Sequence, residues 1–129
     1  RYYHTIHYSG QNFAIIIGGL DLNGKSLKAC EYYDISNQKS VHFGFLNKAR
    51  SECGSFISGS FLYVFGGDIN LIERHNMCAG TNFRAVKIKN QQVIKGSHRF
   101  SFNFENQILI MGGTDLSIFT FIDHSKSIL

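Results

Sequence analysis

Three times along the chain a polar turn leads into an apolar run that ends in Gly-Gly, and this repetition limits the fold more than any other feature. Ser9-Gly10-Gln11-Asn12 precedes Phe13 to Ile17 and Gly18-Gly19; Ser58-Gly59-Ser60 precedes Phe61 to Phe65 and Gly66-Gly67; Glu105-Asn106 precedes Gln107 to Met111 and Gly112-Gly113. The first glycines of the pairs stand at 18, 66 and 112, so the intervals are 48 and 46 residues. A period near 50 predicts a series of similar units, each burying its apolar face against the next.

Two further landmarks recur in the same order. Arg1, Arg50 and Arg99 open the segments that lead to each glycine pair, and each pair is followed by a strand, a polar turn and a second strand. Those segments are Tyr33 to Val41, Val86 to Val93 and Ile122 to Ile128. Phe100, Phe102 and Phe104 alternate with Ser101 and Asn103, the period of a strand with one buried face. Ile15 to Ile17, Leu62 to Phe65 and Ile108 to Met111 are apolar on both faces, as strands held between neighbouring sheets must be. No run carries helical periodicity, so the chain is expected to be all-β, with about four short strands per unit.

A period near 50, hydrophobic residues running into Gly-Gly, a spaced Tyr33-Asp34 and an arginine opening the next unit together resemble the kelch repeat of β-propeller proteins. The resemblance covers nearly the whole chain. It implies two and a half to three four-stranded antiparallel blades, at residues 1–49, 50–98 and, in part, 99–129. It assigns structural roles to Gly18, Gly19, Gly66, Gly67, Gly112, Gly113, Tyr33 and Asp34. The repeats are diverged: Val41, Val93 and Ile128 stand where the family usually has tryptophan, and Tyr-Asp is halved at Ile122-Asp123 and lost at Val86-Lys87. Because propellers close with about four to eight blades, the ring is expected to be incomplete here. Further blades in the same polypeptide, or other copies, are expected to complete it.

Composition excludes several functions. The longest apolar run is Phe13 to Ile17, far short of the roughly 18 residues that cross a bilayer. Arg1-Tyr2-Tyr3-His4 does not open a secretory signal, and no asparagine heads a glycosylation sequon. Three cysteines without a CxxC pair point away from a disulfide framework and toward the cytoplasm. The formal charge of +4 favours acidic partners only modestly.

Catalytic and cofactor chemistry is not expected. His4 and His7 would lie on opposite faces of a strand, which is wrong for shared metal ligation. Ser51-Glu52-Cys53 sets a thiol beside a carboxylate, but Cys53 reads as a small buried hydrophobe. No glycine pair is followed by the Lys-Ser/Thr of a phosphate loop. Arg84, Lys87, Lys89, Lys95 and Arg99 form a run of cations with no acid between them, read mainly as a solvated strand face. The aromatics nearby alternate as core positions, which argues against nucleic acid.

What remains is presentation of loops on a rigid scaffold. In a protein resembling kelch repeats, the turns after Gly-Gly and the joins between blades share a face used for partners. Here these are residues 20–28, 68–80, 47–52 and 95–99. The Asp68 to Gly80 stretch is expected to be the longest loop and the first contact. The candidate contact residues are Asp68, Glu73, Arg74 and His75, with Arg50, Lys95 and Arg99 at the joins. The resemblance implies a non-enzymatic protein-interaction scaffold in a cytoskeletal or ciliary assembly or a ubiquitin-ligase adaptor. The alternative it offers is a propeller enzyme such as a copper-radical oxidase or sugar-acid isomerase.

Overall fold

The structure, a computed structural model, describes residues 1–67, 69–78, 84–86, 100–104, 107–112 and 115–120, with side chains at 1–67, 69 and 71–78. The described residues form three antiparallel sheets, with no helix among them. The first is β1 (Thr5–Tyr8), β2 (Phe13–Ile17), β3 (Leu27–Asp34) and β4 (Lys39–Arg50). The second is β5 (Cys53–Ser58), β6 (Phe61–Gly66), β7 (Ile69–Asn76) and β8 (Arg84–Val86), and the third is β9 (Phe100–Phe104), β10 (Gln107–Gly112) and β11 (Asp115–Thr120). In each sheet the spatial order is the sequence order, so every connection is a hairpin.

Local chemistry sets the turns. Between β1 and β2, Gly10 and Asn12 take positive φ, and both the Ser9 amide and hydroxyl donate to the Phe13 carbonyl. Between β3 and β4, Asp34 Oδ1 accepts the Asn37 amide at 3.0 Å and Oδ2 accepts the Asn37 side chain at 2.7 Å. Those donors hold the Asp34 carboxyl below its ordinary pKa.

The core lies between the first two sheets. Ile15, Ile17, Cys30 and Leu46 from one meet Cys53, Leu62 and Val64 from the other, all buried, and Tyr32, Phe43, Ile57 and Met77 pack around them. The ring of Phe43 bridges the sheets, 4.3 Å from Tyr32 and 5.2 Å from His75. Phe56, Tyr63 and Phe65 face away from the first sheet yet are also buried, with Phe56 and Tyr63 stacked at 4.7 Å. The second sheet is therefore covered on both faces, while β9 lies alongside β5 and β5 alongside β1.

The expectation of a long loop over 68–80 is corrected. Residues 69–76 form β7, whose partners on β6 run from Phe61↔Asn76 to Val64↔Glu73. Polar residues such as Glu73, Arg74 and His75 suggested a loop, but Leu71, Glu73 and His75 alternate with Ile72 and Arg74, and ladder bonding together with inter-sheet contacts accommodates them.

Candidate functional site

The most organised polar cluster joins the first two sheets. Arg50 ends β4 and Glu73 lies in the middle of β7, and both side chains are fully buried. Arg50 Nε and Nη2 donate to Glu73 Oε1 at 3.2 and 3.1 Å, Nη1 donates to the Gly66 carbonyl at 3.0 Å, and Nη2 also reaches the Leu71 carbonyl. Glu73 Oε2 accepts the Asn47 amide at 2.6 Å, and Oε1 accepts that of Lys48 at 3.3 Å. A buried ion pair persists only when its remaining donors and acceptors are satisfied, and here backbone groups of both sheets satisfy them. The arrangement is an electrostatic clamp between sheets.

The glycine pairs seat the backbone that carries this clamp. Gly18 has φ +58°, and a Cβ there would lie 2.4 Å from the Arg50 carbonyl oxygen, which accepts the Gly19 amide at 2.8 Å. The contact of the second glycine recurs: a Cβ on Gly19 would meet the Tyr2 carbonyl at 2.8 Å, and one on Gly67 the Ser51 carbonyl at 2.6 Å. Tyr2 and Ser51 each follow a repeat-opening arginine. Two landmarks separated along the chain are thus in direct contact.

Several expected contact residues lie elsewhere than anticipated. Arg50, Glu73 and His75 are buried rather than displayed in loops. Arg74 is half-buried, with its guanidinium 4.3 Å from the centre of the Phe61 ring. Asp68, Lys95 and Arg99 lie outside the described residues, as do Lys87, Lys89 and Gly113. Of Arg84 and Gly112 only the backbone is described, in β8 and β10.

The loops that do reach solvent gather at one end of the first sheet. Leu20 bridges to both Tyr2 and Ser26, closing a turn in which Asp21 Oδ1 accepts the amides of Asn23 and Lys25 at 2.8 and 2.9 Å. The Gly24 amide donates to the Asp21 carbonyl, and the tip of this braced turn exposes 90% of Leu22. Sequence analysis placed a contact loop over 20–28 but did not single out Leu22, because exposure of one apolar residue is not encoded in its neighbours. At the other end, a cleft of about 770 Å³ opens between the first two sheets, lined by Phe13, Tyr32, Val41 and Met77 among others.

Reactive groups are widely separated. Among the described residues no three His, Cys, Asp or Glu side chains come together as metal ligands. Cys30 is buried in the core, which pushes its thiol pKa up to about 12, with Cys53 adding to the shift. Burial also raises Cys53, outweighing the hydrogen bond it shares with Thr5. Cys78 is exposed. A thiol-specific reagent is therefore expected to modify Cys78 rapidly and Cys30 and Cys53 only when denaturant is added. Because the Cys30 thiol ionises more readily in the unfolded chain, near 9.0, its contribution to stability is lost as pH rises from there toward 12. The denaturant midpoint should fall over that range, and less steeply in Cys30→Ala.

The chain matches no known protein family and no curated protein.

Proposed function

We propose that this chain is a segment of a kelch-like β-propeller that serves as a non-enzymatic, cytoplasmic scaffold for binding other proteins. The observation that carries the reading is the sheet arrangement. Successive four-stranded hairpin sheets follow one another along the chain with their first strands side by side, β1 by β5 and β5 by β9. In a propeller the first strand of each blade lines the central axis, so this adjacency is the one a ring of blades requires. The Arg50–Glu73 clamp supports it by locking one sheet onto the next.

A rigid sheet stack with short braced turns suits recognition by surface, since little ordering entropy is lost on binding. The turn carrying Leu22 is the preferred contact, because Asp21 holds it in shape before any partner arrives. Leu22→Asp is expected to weaken a protein partner by about tenfold, or ~1.4 kcal/mol, without altering the thermal transition. Cross-linking mass spectrometry of the native assembly tests the proposal, with cross-links from a protein partner expected at Lys25. A stoichiometric copper site with an optical band, or turnover of a sugar acid, would overturn it in favour of a propeller enzyme. Cytoskeletal or ciliary assemblies and ubiquitin-ligase adaptors are the settings that the resemblance offers.

A further inference from the structure

The first and second sheets carry the same acidic position, but only one of them is covered. Glu31 on β3 pairs across to Ile16, two residues before Gly18, and Glu73 on β7 pairs across to Val64, two residues before Gly66. Arg1 Nη2 donates to Glu31 Oε1 just as Arg50 Nη2 donates to Glu73 Oε1. At Glu73 the carboxylate is fully buried and receives two backbone amides from the end of the neighbouring sheet's fourth strand. At Glu31 the side chain is 26% exposed, and its second oxygen takes the Ser40 hydroxyl instead. Chiefly that hydroxyl, with the Arg1 guanidinium adding, outweighs partial burial and holds the Glu31 carboxyl below its ordinary 4.5.

The surroundings of Glu31 match a covered face that lacks its cover. Ile6 stands opposite Ile16, Tyr8 opposite Ala14, and Phe45 opposite Ala29, all on the Glu31 face of the sheet. Ile6, Tyr8 and Phe45 are 58%, 62% and 59% exposed. The corresponding row of the second sheet, Ser55, Val64 and Glu73, is buried under the first sheet. A contiguous apolar face of this kind around a charged acceptor marks an interaction surface.

We infer that the Glu31 face is a docking surface for a second copy of this chain, whose own sheet takes on Glu31 the place that the first sheet takes on Glu73. The inference rests on the reading of the chain as stacked repeat sheets. A copy is the occupant that fits, because the chain already contains a sheet shaped to cover this row: the first sheet does so at Glu73, where Asn47 and Lys48 present their amides to the carboxylate. Such a contact is head-to-tail, joining different faces of the two copies, so it builds rings or open stacks rather than a two-fold dimer.

Light scattering on the full chain over a roughly hundredfold concentration range tests this directly. The expected result is a mass that rises above 14.6 kDa with concentration. Ile6→Asp and Phe45→Asp should each weaken self-association at least about tenfold, with circular dichroism and the thermal transition showing that the sheets remain folded. Leu22→Asp, at the turn, should leave self-association unchanged. A mass of 14.6 kDa throughout would overturn the proposal and leave the face to a partner of another kind. A larger mass insensitive to both face variants would overturn it too, by placing the contact between copies elsewhere. Neither result bears on cross-links at the Leu22 turn, so the docking proposal and the scaffold reading fail independently.

Discussion

Replacing Glu73 with alanine is expected to destabilise the fold by about 3–5 kcal/mol, the cost of leaving one member of a buried ion pair without its partner. The Arg50 guanidinium would stay fully buried against the Gly66 and Leu71 carbonyls with no counter-charge, and the Asn47 and Lys48 amides would lose their acceptor. The loss falls on the contact between sheets, so the first and second sheets should separate before either unravels. Equilibrium denaturation followed by intrinsic tyrosine fluorescence measures the total, and hydrogen exchange at Asn47 and Lys48 localises it. Glu31→Ala is the matched comparison. Its pair with Arg1 is partly solvated, and such pairs contribute about 0–1 kcal/mol. If Glu73→Ala cost no more than Glu31→Ala, the clamp would not be holding the sheets together. Replacing both Arg50 and Glu73 with methionine and leucine should recover much of the loss, because apolar packing substitutes for a buried pair better than a lone charge does.

Gly18→Ala is expected to cost about 3 kcal/mol or more, from two sources that a single methyl group brings together. The backbone there has φ +58°, where a side chain costs about 1–2 kcal/mol. The new Cβ would also lie 2.4 Å from the Arg50 carbonyl oxygen, a backbone atom that cannot rotate aside. Moving that carbonyl would break its bond from the Gly19 amide and shift the arginine that clamps the next sheet. Gly10→Ala separates the two sources: Gly10 has φ +80° and open space around it, so only the conformational cost of about 1 kcal/mol applies. Denaturant midpoints for the two variants decide the matter. Equal losses would mean that the close approach of β4 to the glycine pair contributes nothing.

Much of the strand pattern was legible because the relevant signals are local. Ile15 and Ile17 face the second sheet and Ile16 the opposite side, while Leu62 to Phe65 are buried on both sides, as their unbroken apolar run suggested. The alternation in Phe100–Phe104 likewise marked β9. The misreading of 68–80 has an equally physical cause. Glu73 and His75 are polar residues at inward positions of a strand, and sequence alone could not show that Arg50, 23 residues earlier, supplies the partner that makes burial of Glu73 tolerable. The equivalence of Glu31 and Glu73 was hidden in the same way. Glu31 comes thirteen residues after Gly18 but Glu73 only seven after Gly66, because the braced turn around Asp21 lengthens the first connection. Register across the sheet aligns two residues that spacing along the chain does not.

By itself the sequence determined the all-β class, the recurrence of apolar strands ending in Gly-Gly, and the placement of an arginine at the start of each unit, since these follow from side-chain periodicity and from turn chemistry within a few residues. Only the tertiary structure decided that the arginine's carbonyl seats on one glycine pair while its guanidinium clamps the next sheet, and that Glu73 is buried while Glu31 is left partly open. Those outcomes depend on which sheet covers which face, a property of contacts between units that no local pattern within one unit contains.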